Sequence, residues 1–200
     1  MKLFIDLTSR RFVKSAASSA ALASLTLKRR DLLPIEIQFV LRGAAVATGE
    51  FLLFLHADTL LPLDYPALIR STLAPPGVAG GAFAFAIAGD FPGRRLIERG
   101  TNFRARRRQL PYGDQGLFVS RAMFDRVGGF PDQPIMEDYA WVRRLQRLGR
   151  VAIAPAAAVT SGRRWQRRGA VGTTLLNQLI VLGYRLGVSP ARLARWYRGE

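Results

Sequence analysis

The run Phe51-Leu-Leu-Phe-Leu-His56-Ala-Asp58-Thr59-Leu-Leu-Pro62 decides how this chain is read. Five apolar residues, introduced by Gly49-Glu50 and closed by a polar cluster and a proline, fit a strand buried on both faces, as in a parallel sheet. Open α/β sheets place ligands beyond the carboxyl ends of such strands. Asp58 stands just past that end, with His56 two residues before it and Thr59 beside it. A carboxylate there offers the hard oxygen that a divalent cation prefers, and the cation can neutralise a diphosphate. The competing reading is a capped turn, in which Asp58 or Thr59 opens the helix expected over 64–73.

Composition narrows the chemistry around this run. Two hundred residues suit one domain with a full core, or one domain with an appendage. With 49% hydrophobic and 22% charged residues and a mean hydropathy of +0.08, the composition is globular, and no apolar stretch is long enough to span a bilayer. Cysteine is absent, which excludes disulfides, thiolate metal sites and a cysteine nucleophile. His56 is the one histidine, so a His-His zinc motif is excluded and any Ser-His-Asp triad would depend on it. The net charge of +16 is carried mostly by arginine, whose planar fork suits phosphate and carboxylate oxygens, and it points to acidic partners. A solvated arginine-rich surface explains the charge equally well.

Upstream of the run, residues 1–41 differ in character from the rest. Ser9-Arg10-Arg11-Phe12-Val13-Lys14, before an Ala/Ser-rich stretch and Lys28-Arg-Arg30, imperfectly resembles a twin-arginine export signal. From Arg42 to Gly49 the pattern is a short Ala-rich helix with a glycine C-cap.

Downstream, Gly80-Gly81-Ala-Phe83-Ala-Phe85-Ala-Ile87 alternates at period two and predicts a strand whose glycines admit a neighbouring segment or a ligand. An arginine-dense helix follows over 94–109, with Leu96, Ile97 and Phe103 as its apolar contacts. Gly113, Asp114, Gln115 and Gly116 form a polar loop ahead of a short strand. Ser120 is positioned to N-cap a helix that ends at Gly128-Gly129. Glu137 and Asp138 open a helix carrying Trp141, Leu145 and Leu148, where carboxylates suit the macrodipole. An ionised Asp in that position can also accept a proton from a hydroxyl. After a strand at 151–154, Arg163, Arg164 and Trp165 sit in a cluster able to clamp a phosphate and stack on a ring. The helix over 173–187 places Leu175, Leu179, Leu182 and Leu186 on one side. It suits a core position or an anionic membrane surface, and the surrounding Arg192, Arg195 and Arg198 favour the second.

The order of these motifs resembles the family 2 glycosyltransferases of GT-A fold, most closely the small bacterial branch associated with arsenosugar biosynthesis and with radical-SAM or selenoprotein gene clusters. The resemblance runs over about residues 42–170, on Arg42 to Thr59, Gly113-Asp-Gln-Gly116, Val127-Gly-Gly-Phe130, Met136-Glu-Asp138 and Ser161-Gly-Arg-Arg-Trp165. It implies an α/β fold, a Rossmann-like and mostly parallel sheet flanked by helices. It implies that Asp58, with His56 in place of the family's first acid, binds Mn²⁺ or Mg²⁺ on a nucleotide-sugar diphosphate. Asp138, beside Glu137, becomes the base that deprotonates the acceptor hydroxyl; Gly113 to Gly116 border the acceptor, and Arg163, Arg164 and Trp165 close over the phosphates. The implied reaction is inverting glycosyl transfer in the cytoplasm, peripheral to the inner membrane, with residues 171–200 as a basic amphipathic appendage and no nucleic-acid partner. Residues 1–41 lack the family's opening nucleotide-binding strands and offer at most one short strand ending near Asp6. A truncated or frame-shifted start is therefore expected, and with it the alternative of an inactive glycosyltransferase-like domain.

Overall fold

A computed structural model describes residues 2–6 and 44–200. The export-signal-like stretch at 9–14 lies outside the described residues. In chain order, the strands are β1 (Lys2–Asp6), β2 (Phe51–His56), β3 (Thr59–Leu60), β4 (Val78–Ile87), β5 (Leu117–Ser120) and β6 (Arg150–Thr160). The helices are α1 (Tyr65–Leu73), α2 (Arg94–Arg108), α3 (Arg121–Val127), α4 (Glu137–Leu145), α5 (Arg163–Arg168), α6 (Ala170–Arg185) and α7 (Pro190–Arg198), with a 3-10 turn at Gly113–Gln115 and a helical turn over 44–46.

Among the described residues the strands form one sheet in the order β1-β2-β5-β4-β6-β3, so the fold is α/β. The expected mostly parallel sheet is not what forms. Only β4 and β6 pair in parallel, while β1–β2, β2–β5, β4–β5 and β3–β6 are antiparallel. The physical reason is that an apolar run reports burial on two faces, and helices cover both faces of a mixed sheet as well as a parallel one. The burial itself is as expected. Leu52 and Phe54 enter one core with Phe124, Phe130 and Trp141, and Leu53 and Leu55 enter a second with Ile69, Phe83 and Phe118.

Strand directions still gather three strand ends at the expected ligand end. Because β5 is antiparallel to both β2 and β4, these two run the same way, and β6 runs with them. His56, Ile87 and Thr160 thus end their strands at one edge of the sheet. β1 runs oppositely, with Lys2 opposite His56 and Asp6 opposite Leu52, so the expected short strand exists but Asp6 lies at the far end from His56.

A row of side chains continues β4 where β5 stops. Gln115 Nε2 donates to the Phe83 carbonyl, Asn102 bonds both the N–H and the C=O of Phe85, Glu98 accepts from the Ile87 N–H, and Arg94 donates to the Ile87 carbonyl. Helix α2 therefore stands in for a missing strand and satisfies buried backbone groups that would otherwise cost free energy. Leu96 and Phe103, expected as its apolar contacts, are exposed instead, because the helix docks through Ala105 and these polar side chains.

Local expectations divide in the same way. Ser120 caps α3 by accepting from the Met123 N–H, and Gly128 ends that helix in the left-handed region at φ 81. The turn before β2 ends differently from the expected glycine cap: the Arg121 guanidinium donates to the carbonyls of Ala44, Ala47 and Gly49. Gly80-Gly81 admits a chain segment, since a Cβ on Gly81 would sit 2.4 Å from the Phe118 ring. Helix α4 stops at Leu145, leaving Leu148 in the following turn and exposed.

Trp141 is fully buried, stacked on Phe130 at 4.6 Å between ring centroids and edge-on to Phe54 at 5.7 Å. Trp141→Ala is expected to lower the unfolding free energy by about 3–5 kcal/mol, measured by chemical denaturation. Leu148→Ala should change it by less than about 1 kcal/mol.

Candidate functional site

The chain leaves β2 at His56 and turns through the exposed pair Ala57-Asp58 into β3. That turn is tied to the end of β6: Thr59 Oγ1 donates to Thr160 Oγ1 at 3.1 Å, and the Asp58 carbonyl accepts from the Ser161 N–H at 3.1 Å. The Asp58 turn therefore lies beside the segment that starts α5. Ser161 Oγ accepts from Arg163 Nε at 3.0 Å, and Trp165 packs edge-on to Phe85 at 6.2 Å. Arg163 and Arg164 are exposed, and Arg164 donates to the Tyr197 hydroxyl while lying over that ring at 5.2 Å. Residues expected to act together at the phosphate end, Asp58 and Arg163 to Trp165, are thus on adjoining segments.

The 3-10 turn forms the other side. Gln115 is wholly buried, its Oε1 accepting from the Tyr112 N–H and its Nε2 donating to the Phe83 carbonyl. Its amide is engaged at both ends in holding the turn. Gly113 is buried, Asp114 is half-buried, and Gly116 takes φ 63, which favours glycine.

Gly113 brings the catalytic candidates together. Its N–H donates to Asp138 Oδ2 at 2.7 Å, and Asp138 Oδ1 accepts from the Tyr139 N–H at 2.7 Å. A Cβ on Gly113 would fall 2.9 Å from His56 Nε2 and 3.1 Å from Asp138 Oδ2. The end of β2, the 3-10 turn and the first turn of α4 thus converge on one backbone position that has room for no side chain. Glu137 is half-buried beside Asp138 at the start of α4.

Two groups not singled out from the sequence shape the electrostatics. Arg104 lies 3.6 Å from the Tyr112 ring centroid and donates to the Leu110 carbonyl, so one guanidinium braces the turn from α2. Nothing in the arginine-dense run marks it apart from its neighbours; only the fold does. Tyr112 is pushed above its ordinary pKa, chiefly by burial and against the pull of Arg104.

Asp114 is the perturbed carboxyl. Its Oδ1 is buried without a hydrogen-bond partner, and burial raises its pKa from 3.8 to about 6, opposed by Arg104 and Arg164 and reinforced by Asp138. The folded chain therefore holds this proton where the unfolded chain has lost it. Stability contributed by the group is fully present below the ordinary carboxylate pKa of 3.8 and is lost as pH rises through about 6. Asp114→Asn is expected to stabilise the fold by about 1–3 kcal/mol above pH 7, with the gain vanishing towards about pH 4. Urea titrations across that range measure it.

Among the described residues no group of three or more His, Asp or Glu side chains gathers to hold a metal. Comparison of the chain with protein-family models, with curated proteins and with solved structures finds no match.

Proposed function

We propose that the chain is a metal-assisted inverting glycosyltransferase of GT-A type, moving a sugar from a nucleoside diphosphate to an acceptor hydroxyl. The observation that carries this reading is the Gly113 junction, where the Asp138 carboxylate meets the end of the strand that leads to Asp58. Asp138 would serve the acceptor proton, and Asp58, two residues beyond the strand end at His56, would serve a cation.

The donor set fits such a cation. Mg²⁺ and Mn²⁺ on nucleotide phosphates take one or two protein carboxylates and complete their shell with phosphate oxygens and water, so a three-residue cluster is not required. Asp58 would hold the ion, with His56, two residues before it, as the second candidate ligand. A bound ion would supply charge neutralisation for the departing diphosphate. Arg163 and Arg164 add donors for the same oxygens, and Trp165 fixes α5 against Phe85. Asp138 takes the acceptor proton as the acceptor oxygen bonds to the anomeric carbon; the bond from that carbon to the phosphate oxygen breaks, and the electron pair leaves with the nucleoside diphosphate. Attack opposite to the leaving group inverts the anomeric centre.

Proton NMR of the product tests the reading. Transfer with opposite anomeric configuration to the donor supports it, and retention of configuration contradicts it. The inactive-domain reading is favoured by one feature, the reversed β1, whose carboxyl end lies away from His56. Enzymes and remnants separate in nucleotide binding.

No helix among the described residues is long and apolar enough to cross a membrane. We propose a cytoplasmic location, where activated sugar nucleotides are made available.

A further inference from the structure

Helix α6 packs one apolar face on the core, through Leu176, Ile180, Val181 and Tyr184, and leaves a second one exposed. Thr173, Ile180 and Gly183 point inward, where Gly183 lies against Leu193 of α7. Val171, Leu175, Leu179, Leu182 and Leu186 are 52–75% exposed, and at 3.6 residues per turn they form one continuous stripe. Helix α6 contacts α2, α5 and α7, and these bring further exposed apolar groups, Leu96 and Phe103 from α2 and Trp196 from α7. Isolated exposed leucines need no explanation, but a ridge of five does.

The charge around the ridge selects its occupant. Between Tyr139 and Gly199 the chain carries twelve arginines, no lysine and no Asp or Glu. A second copy docked face to face would set twelve arginines against twelve with only Glu200, just past α7, to pair, which is costly. Nucleic acid would match the charge and leave the leucines in water. A bilayer with anionic headgroups matches both: its interface accepts the leucine ridge, and its phosphates meet the arginines of α5 and α7.

We propose that the α6–α7 face seats on an anionic membrane surface, with Val171, Leu175, Leu179, Leu182 and Leu186 inserted at the headgroup boundary and Arg192, Arg195 and Arg198 on lipid phosphates. This seat stands independently of the glycosyl-transfer reading.

Flotation of the full chain with phosphatidylcholine vesicles, with and without phosphatidylglycerol, tests it. Binding is expected only with phosphatidylglycerol and is expected to weaken as salt is raised. Leu179→Ser with Leu182→Ser should weaken it by about tenfold or more at an unchanged unfolding midpoint. Leu186→Ser, at a more exposed position, gives a second variant if the pair disturbs the fold. Arg192→Gln with Arg195→Gln should weaken binding most at low salt. Equal binding to neutral vesicles, no binding to either, or binding unaffected by the leucine changes overturns the proposal. So does a dimer in sedimentation that the leucine variants dissociate, because the ridge would then be covered by a second copy.

Discussion

Asp138→Asn is expected to lower the rate of glycosyl transfer by roughly a hundredfold to ten-thousandfold, the range that a positioned general base supplies. The substitution keeps the shape, but its one amide oxygen can replace only one of the two carboxylate oxygens that accept from Gly113 and Tyr139, and it removes the group that takes the proton. Asp138 is also structural, because it receives the Gly113 N–H and the Tyr139 N–H. The readout must therefore separate chemistry from folding: Asp138→Asn should retain affinity for nucleoside diphosphate and metal, with only turnover lost. If affinity and turnover fell together, Asp138 would be holding the 3-10 turn in place and not acting on the acceptor.

The second large effect is expected at Asp58. Its side chain is exposed in the turn between β2 and β3, and its backbone is fixed by Ser161. Asp58→Ala should leave the unfolding midpoint within about 0.5 kcal/mol of the parent, since no buried contact is lost. The same change should abolish the metal-dependent part of nucleoside diphosphate binding, about a hundredfold or more in affinity, because the ion would lose its protein carboxylate. Asp58→Asn is expected to behave similarly, as a neutral amide oxygen is a weaker ligand than a carboxylate. The two substitutions at Asp58 and Asp138 thus predict opposite patterns, one losing binding and the other losing turnover.

How much of this was legible in the sequence depends on range. The double-sided burial of Leu52 to Leu55 was readable because a strand's environment is written in its own residues. The direction of its neighbours was not, since β2 pairs with Leu117 to Ser120, far along the chain. Ser120 and Gly128 were readable as caps because capping is local chemistry. The Arg121 cap on residues 44–49 was not, because nothing distinguishes that arginine from twenty-odd others until the chain folds. At the candidate site, Asp58, Gly113 and Asp138 stood out individually as polar groups at element ends. Their meeting at Gly113, and the bracing of Tyr112 by Arg104, depends on contacts between β2, α2, α4 and the 3-10 turn that no local pattern encodes. Helix α6 shows the limit most clearly. Its leucine stripe reads as amphipathic in sequence, but a stripe alone does not say which face the domain keeps, and here the leucines face out.

The most direct measurement is calorimetric titration of the full chain with a panel of nucleoside diphosphates, with Mn²⁺ or Mg²⁺ and with chelator. Saturable binding that appears with the metal, disappears with chelator and is absent in Asp58→Ala is the predicted result. No affinity for any nucleoside diphosphate in the presence of metal, or affinity indifferent to metal and to Asp58, would contradict it.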